Sequence, residues 1–257
     1  MNDYTRITAA CDAGILRLTL AAPPLHILDI AMMRELRHAL AAAPADTWCV
    51  VFAAQGEKAF SAGADIREHT ADKVEEMLTT FHGVFEDLAE RDVVSVALVR
   101  GVALGGGCEL AMACDIVLAA DTATFAQPEI MVGCFPPVAA LLLPALVGPK
   151  KAAEMVLTGA KLSADEAAAC GLISRSVPAA ELDAEGEKLL AKLATLSPSV
   201  LRLTRRALGV ATGGVESFRA RLRSVEDLYF RELVPMPDMS EGVAAFIAKR
   251  PPRWSGQ

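Results

Sequence analysis

The sequence lacks nearly every marker of a metal centre, a disulfide framework, a membrane span or a nucleic-acid surface. Its six cysteines, Cys11, Cys49, Cys108, Cys114, Cys134 and Cys170, are scattered and form no Cys-x-x-Cys pair, so zinc-site spacing is absent. The four histidines, His26, His38, His69 and His82, are also dispersed, with no His-Glu-x-x-His element. Such thiols read as free side chains in a reducing cytosol rather than as disulfides. Basic excess is missing too. A formal net charge of −7 argues against the positive face that nucleic acid requires. The longest apolar run, VAALLLPALV at 138–147, falls far short of the ~20 residues that cross a bilayer. The first residues, MNDYTRITAACDAG, lack the apolar core of a signal peptide. The expectation is a cytoplasmic protein with neither nucleic acid nor membrane as partner.

What is present suits a large folded core. The chain has 257 residues, of which 53% are hydrophobic and 22% charged, the balance of a globular protein rather than a disordered one. YTRITAA and GILRLTLA at the start alternate as strands do, and a Pro-Pro break at 23–24 leads to Asp29, an N-cap for a helix ending near Ala43. WCVVFAA at 48–54 and VVSVALV at 93–99 are nearly unbroken apolar runs, the pattern of strands buried on both faces. A polar helical stretch is expected over about 71–90, and DIVLAA and ATFAQ read as two further strands. From about 138 the pattern is mainly helical, with Ser163 and Glu166 forming a capping box. Pro198 opens another helix, and Gly213-Gly214 separates it from the next. Arg202, Arg205 and Arg206, and then Arg219, Arg221 and Arg223, read as solvated helix faces. The fold class is α/β, with a helical appendage from about residue 197.

Three segments carry chemistry. In AFSAGADI, residues 59–66, the small residues Ser61, Ala62, Gly63 and Ala64 let backbone approach a ligand and present its N–H groups. Alone, such a stretch is an ordinary tight turn. In GVALGGGCELAMACD, residues 101–115, a glycine loop opens a helix whose free N–H groups favour negative charge. It has neither the Gly-Lys-Ser/Thr ending nor the Gly-x-Gly-x-x-Gly spacing of nucleotide loops. Glu109 is its one carboxylate before Asp115, set among Cys108, Leu110, Ala111, Met112 and Ala113. A desolvated carboxylate has a raised pKa and trades protons readily, although a first-turn Glu is also favoured by the helix dipole. In ATFAQPEIMVG, residues 123–133, Glu129 stands alone after Pro128. Two isolated carboxylates after such turns suggest a general acid–base pair.

In this order and spacing, the three segments resemble the enoyl-CoA hydratase/isomerase (crotonase) superfamily. The likeness continues through KKAAEMVLTGAKLSADEAAACGLISRSVP at 150–178 and AFIAKRPPRW at 245–254. The resemblance implies a spiral of repeated ββα units over residues 1–195 and a helical trimerisation region over 196–257. It implies an acyl-CoA thioester as ligand, no metal or redox cofactor, and coenzyme A arriving as part of the substrate. Assembly as a homotrimer, or a hexamer of paired trimers, is the further implication. The family's two backbone oxyanion donors fall on Ala64 and Gly106, and the two glutamates of its hydratase branch on Glu109 and Glu129. Substrate contacts are expected at Leu25, His26, Leu28, Ala62, Asp65, Ile66, Arg67, Phe135 and Pro137. Lys249 matches a lysine that reaches coenzyme A, from a neighbouring subunit.

Two stretches depart from the common hydratase. Phe135, Pro136, Pro137 and Val138 stand where glycines would, and PPLHILDIAMM replaces an Asn-containing entry segment. Both are similar to cyclohexa-1,5-diene-1-carbonyl-CoA hydratases, and a stiff apolar wall suits a flat ring. A general 2-enoyl-CoA hydratase is the alternative on the same machinery. An isomerase or a non-catalytic acyl-CoA-binding protein would most easily have lost one of the two glutamates.

Overall fold

The computed structural model describes residues 4–210 and 213–256. The first three residues of the N-terminal stretch and the last residue of the C-terminal region therefore lie outside the description. The opening alternation is a hairpin in which β1 (Ile7–Asp12) pairs antiparallel with β2 (Ile15–Leu20). Leu16, Leu18 and Leu20 turn inward from β2, as a period of two requires. The Asp29 side chain then accepts from the Met32 N–H at 2.8 Å and starts α1 (Ile30–Ala41).

A two-strand, one-helix unit now repeats. β3 (Cys49–Ala54) and β4 (Ala59–Ser61) lead to α2 (Val74–Glu90); β5 (Val94–Val99) and β6 (Val102–Leu104) lead to α3 (Gly106–Met112). β7 (Ile116–Ala120) and β8 (Thr124–Ala126) lead to α4 (Pro137–Leu146). After α5 (Gly148–Thr158) come β9 (Leu162–Ser163), α6 (Ala164–Ala169), β10 (Arg175–Val177) and α7 (Leu182–Ala194). Within each repeat the first strand joins a six-stranded sheet, β1-β2-β3-β5-β7-β10, and the second joins a four-stranded sheet, β4-β6-β8-β9. Each unit thus advances both sheets by one strand, which produces the expected spiral.

Burial explains the strand order. All six residues of β5 are buried, as its unbroken apolar run requires for a parallel strand covered on both faces. The stretch expected to be polar and helical is α2, and it is amphipathic: Val74, Met77, Leu78, Phe81, Phe85 and Leu88 form a buried stripe at helical spacing. The glycine loop at 101–107 is shorter than expected. Val102–Leu104 pairs in parallel with both β4 and β8, because its backbone extends the second sheet before the glycines turn it.

The C-terminal helices α8 (Pro198–Val210), α9 (Gly214–Leu228) and α10 (Pro237–Ile247) close the chain. Leu222, Tyr229 and Met239 from this region join the main core. Of the arginines read as solvated faces, Arg206, Arg221 and Arg223 are exposed as expected, whereas Arg202, Arg205 and Arg219 are half-buried. Arg205 meets Asp115 at 2.9 Å, Arg206 meets Asp92 at 3.1 Å, and Arg219 bonds Glu90 on α2. A paired guanidinium covers carboxylates that packing would otherwise strand. All six cysteines are unpaired, with Cys11 exposed on β1.

Candidate active site

The first wall is built after β4. The Ser61 hydroxyl donates to the His26 carbonyl at 2.7 Å and accepts from the Gly63 N–H at 3.1 Å. Gly63 has φ +95°, and a Cβ there would lie 2.8 Å from the Leu104 carbonyl oxygen. Only glycine fits both the conformation and the contact. The Leu28 N–H then donates to the Gly63 carbonyl at 2.9 Å, and the Asp65 N–H to the Leu28 carbonyl at 3.3 Å. Among the described residues, this bridge leaves the Ala64 N–H without a backbone acceptor.

The second wall is the start of α3. Gly105 anchors it by donating its N–H to the Ala126 carbonyl at 2.9 Å. Gly106 is the first helical residue, so its N–H has no acceptor inside the helix. A Cβ at Gly106 would sit 3.4 Å from the Ala64 nitrogen, which shows how closely the two loops approach. Two N–H groups are therefore presented side by side, as an oxyanion hole requires.

The carboxylates face this pair. Glu109 lies in the first turn of α3, is 3% exposed, and accepts from the Ala139 N–H at 2.7 Å. Burial raises its pKa to about 7, against the opposing pull of the Ala139 and Val138 N–H groups. Glu129 heads the 3-10 turn Glu129–Val132. As a whole residue it is half-buried, yet its Oε2 is enclosed without a hydrogen-bond partner. A Cβ at Gly105 would strike its Oε1. Burial, and then the charge of Glu109, push the Glu129 carboxyl well above the usual range.

Six residues expected from the sequence, Ala64, Gly106, Glu109, Glu129, Phe135 and Pro137, line one cavity of about 30 Å³, together with Pro136. Five others complete it: His69, Met77, Leu78, Phe81 and Tyr229. Tyr229 is 1% exposed and sits at the start of a π-helical turn, Tyr229–Leu233, after α9. π-Turns of this kind concentrate at functional sites. It was not legible in sequence because it lies a hundred residues beyond Glu129, with the Tyr-Phe pair at 229–230 as its one mark. His69 was closer to hand, five residues past Ala64, but as one of four dispersed histidines it carried no motif.

The remaining expected contacts are placed elsewhere. His26 is buried, its Nδ1 accepting from the Ala22 N–H at 3.2 Å and its Nε2 bonded to the Gln55 carbonyl at 2.8 Å. Its side chain therefore holds the loop together instead of meeting a ligand. Leu28 is fully buried in the core. Its contribution to the site is the backbone bridge to Ala64. Leu25 does the same for Ala62, accepting that residue's N–H at 2.9 Å. The Asp65 carboxylate caps the 3-10 turn Ile66–Glu68 through the Arg67 N–H at 2.9 Å and pairs with the exposed Arg67 guanidinium. Lys249 is exposed just past α10 and does not line the cavity.

A wider depression of about 410 Å³ lies between β1 and α1, but no carboxylate lines it. Among the described residues no group of three or more His, Cys, Asp or Glu could hold a metal ion, and no helix is long and apolar enough to cross a membrane.

Similarity to known proteins establishes the family. The sequence model described as enoyl-CoA hydratase/isomerase matches residues 10–257. The cyclohexa-1,5-dienecarbonyl-CoA hydratase of Thauera aromatica is 36% identical, over 96% of this chain and 95% of that protein. The mitochondrial enoyl-CoA hydratase domain-containing protein 3 of Rattus norvegicus is 34% identical, over 94% of this chain and 82% of its own length. The crystal structure of an enoyl-CoA hydratase from Mycobacterium avium subsp. paratuberculosis K-10 superposes with a TM-score of 0.87 at 28% identity, covering 98% of this chain and 99% of that one. The chain belongs to the enoyl-CoA hydratase/isomerase family.

Proposed function

We propose that this enzyme is an acyl-CoA hydratase, a carbon–oxygen lyase, and that its substrate is cyclohexa-1,5-diene-1-carbonyl-CoA. The observation that carries the hydratase reading is the split between the two carboxyls across one pair of free N–H groups. Burial raises the Glu109 carboxyl to about 7, and burial with the charge of Glu109 raises that of Glu129 well above the usual range, so both are placed to exchange protons. One accepts a proton from water and the other has a proton to deliver.

Water attacks the β-carbon while Glu109 removes its proton. The electrons move onto the thioester oxygen, where the Ala64 and Gly106 N–H groups stabilise the enolate. Each such donor is worth roughly 2.7–4 kcal/mol in the transition state. In a 1,5-diene the charge also reaches the far end of the conjugated system. Glu129 protonates that carbon, which completes a 1,4-addition and leaves 6-hydroxycyclohex-1-ene-1-carbonyl-CoA. Glu109 ends protonated and Glu129 ionised, so a proton must pass between them before the next turnover.

The ring substrate is supported by the wall. Pro136 and Pro137 fix their φ angles and offer no N–H, so the segment cannot flex as a glycine turn would. Phe135 and Tyr229 add two aromatic rings beside it. The resemblance to the Thauera aromatica enzyme points the same way. Side-by-side specificity constants test it: cyclohexa-1,5-diene-1-carbonyl-CoA should exceed crotonyl-CoA, and the reverse order leaves a general 2-enoyl-CoA hydratase.

The site implies no resident cofactor, since coenzyme A enters with the substrate; Arg67 and Lys249 are the cations offered to it. A trimer, alone or paired into a hexamer, is proposed because Leu203, Leu208 and Val210 on α8 and Phe246 on α10 are 57–75% exposed. The unpaired thiols support a reducing cytoplasm.

A further inference from the structure

We propose that His69 is a third polar contact of the acyl pocket, whose Nε2 accepts a hydrogen bond from the hydroxyl of the hydrated acyl group. The ligand class is a hydroxyacyl-CoA thioester, so the inference rests on the reading of this site as a hydratase.

Four polar side chains line the cavity: His69, Glu109, Glu129 and Tyr229. Tyr229 packs its ring edge-on to Phe135 and sets its hydroxyl beside the Cys134 thiol, whose own bond goes to the Val132 carbonyl. The two carboxyls carry the proton transfers. His69 is fixed differently from all three. Its Nδ1 lies 3.1 Å from the Asp65 carbonyl oxygen, which can only accept, so Nδ1 carries the proton. Asp65 is itself held, because its carboxylate caps the turn and pairs with Arg67. The tautomer of His69 is therefore set by the same loop that presents the Ala64 N–H.

A neutral imidazole protonated at Nδ1 has an acceptor at Nε2. Among the described residues nothing donates to that atom, and it is not sealed away from the cavity. Burial holds the His69 pKa below its ordinary value, which keeps the ring neutral and Nε2 available. In an acyl pocket made otherwise of Met77, Leu78, Phe81 and Phe135, this acceptor is open to a donor that the ligand brings.

The reaction supplies that donor at a defined moment. Before attack, the O–H bonds of water face ionised Glu109. After attack, Glu109 carries the proton and is a poorer acceptor, while the new C–O–H still has a hydrogen to place. A neutral His69 takes it. No proton is transferred to His69 and no bond to it is made.

The experiment compares ligands that differ by the hydroxyl alone. Affinities for 3-hydroxybutyryl-CoA and butyryl-CoA are measured by calorimetry in a Glu129→Gln background, so that the hydroxy ligand persists. The same is done for 6-hydroxycyclohex-1-ene-1-carbonyl-CoA against cyclohex-1-ene-1-carbonyl-CoA. Adding His69→Leu should cut the preference for the hydroxylated member by roughly fivefold to tenfold. Affinity for the plain member should hold. His69→Phe keeps a ring and removes the acceptor, so it should match His69→Leu; His69→Asn restores an acceptor and should recover part of the preference. An unchanged preference in both apolar variants, or an equal loss for both ligands of a pair, overturns the proposal. Rate assays that reject the cyclic diene as substrate leave the linear pair to decide the role of His69.

Discussion

The Tyr229 ring stands edge-on to that of Phe135, with centroids 5.0 Å apart and planes at 63°. One residue follows the Glu129 turn and the other opens the π-helical turn after α9, so the contact ties the C-terminal region to the wall beside Glu129. Both rings line the cavity of about 30 Å³. Tyr229→Ala should lower stability by roughly 3–5 kcal/mol in thermal or urea melts. It should also raise the specificity constant for 2-octenoyl-CoA relative to crotonyl-CoA at least tenfold, since each methylene accommodated in an apolar pocket is worth about 1–3 kcal/mol. An unchanged chain-length profile would show that another wall sets the limit.

Glu109→Gln and Glu129→Gln separate chemistry from architecture. Glutamine retains an oxygen to accept the Ala139 N–H that Glu109 now receives, so the fold should persist. Each variant should lose roughly 10²- to 10⁴-fold in kcat, the usual worth of a positioned acid or base. Near-normal turnover in either one, with unaltered circular dichroism, would remove that residue from the mechanism.

The legible parts of this site were those in which one short segment does the work. Gly63 with Ala64, the glycines before Glu109, and Pro128 before Glu129 each signal a turn and its consequence within a few residues. Individual strands were legible for the same reason, since period and turn residues are local, whereas their arrangement as repeated ββα units was implied by the family resemblance. His26 misled because proximity to a ligand loop does not say which way a ring points; here both its nitrogens are consumed by Ala22 and Gln55. Arg205 and Arg219 misled similarly, because their partners Asp115 and Glu90 lie far off in sequence. Tyr229 joins the pocket through long-range packing, which no local pattern encodes.

Gly105 offers a sharper test of preorganisation than either glutamate. Its φ of +51° with ψ of −125° is open to glycine but not to alanine, and an added Cβ would strike Glu129 Oε1. Gly105→Ala should therefore displace the Glu129 carboxylate without touching its chemistry. The expectation is a loss in kcat of a hundredfold or more, in line with the roughly 10²-fold cost of a small misplacement of reacting groups. A crystal structure of the variant should show the carboxylate moved. Full activity would mean that Glu129 tolerates more freedom than this packing implies.

The buried pair also makes stability depend on pH, with a sign opposite to that of a salt-bridged carboxylate. Glu109 titrates at an ordinary 4.5 when unfolded and at about 7 when folded. Below pH 4.5 both states hold the proton, and its contribution to stability is complete. As pH climbs towards 7 the unfolded chain ionises first, and folding loses roughly 3 kcal/mol, the equivalent of the pKa difference. Above 7 the loss is constant. Catalysis runs the other way over the same interval, because Glu109 must ionise to act as base, and falls again where Glu129 finally releases its proton. Wild type should thus lose stability over the same pH interval in which Glu109 ionises and activity rises. Glu109→Gln has no such titration and relieves Glu129 of a neighbouring charge. Its urea unfolding free energy should gain on wild type by about 3 kcal/mol between pH 4.5 and pH 8. Parallel stability curves for the two proteins across that range would show that Glu109 is not buried with its charge uncompensated.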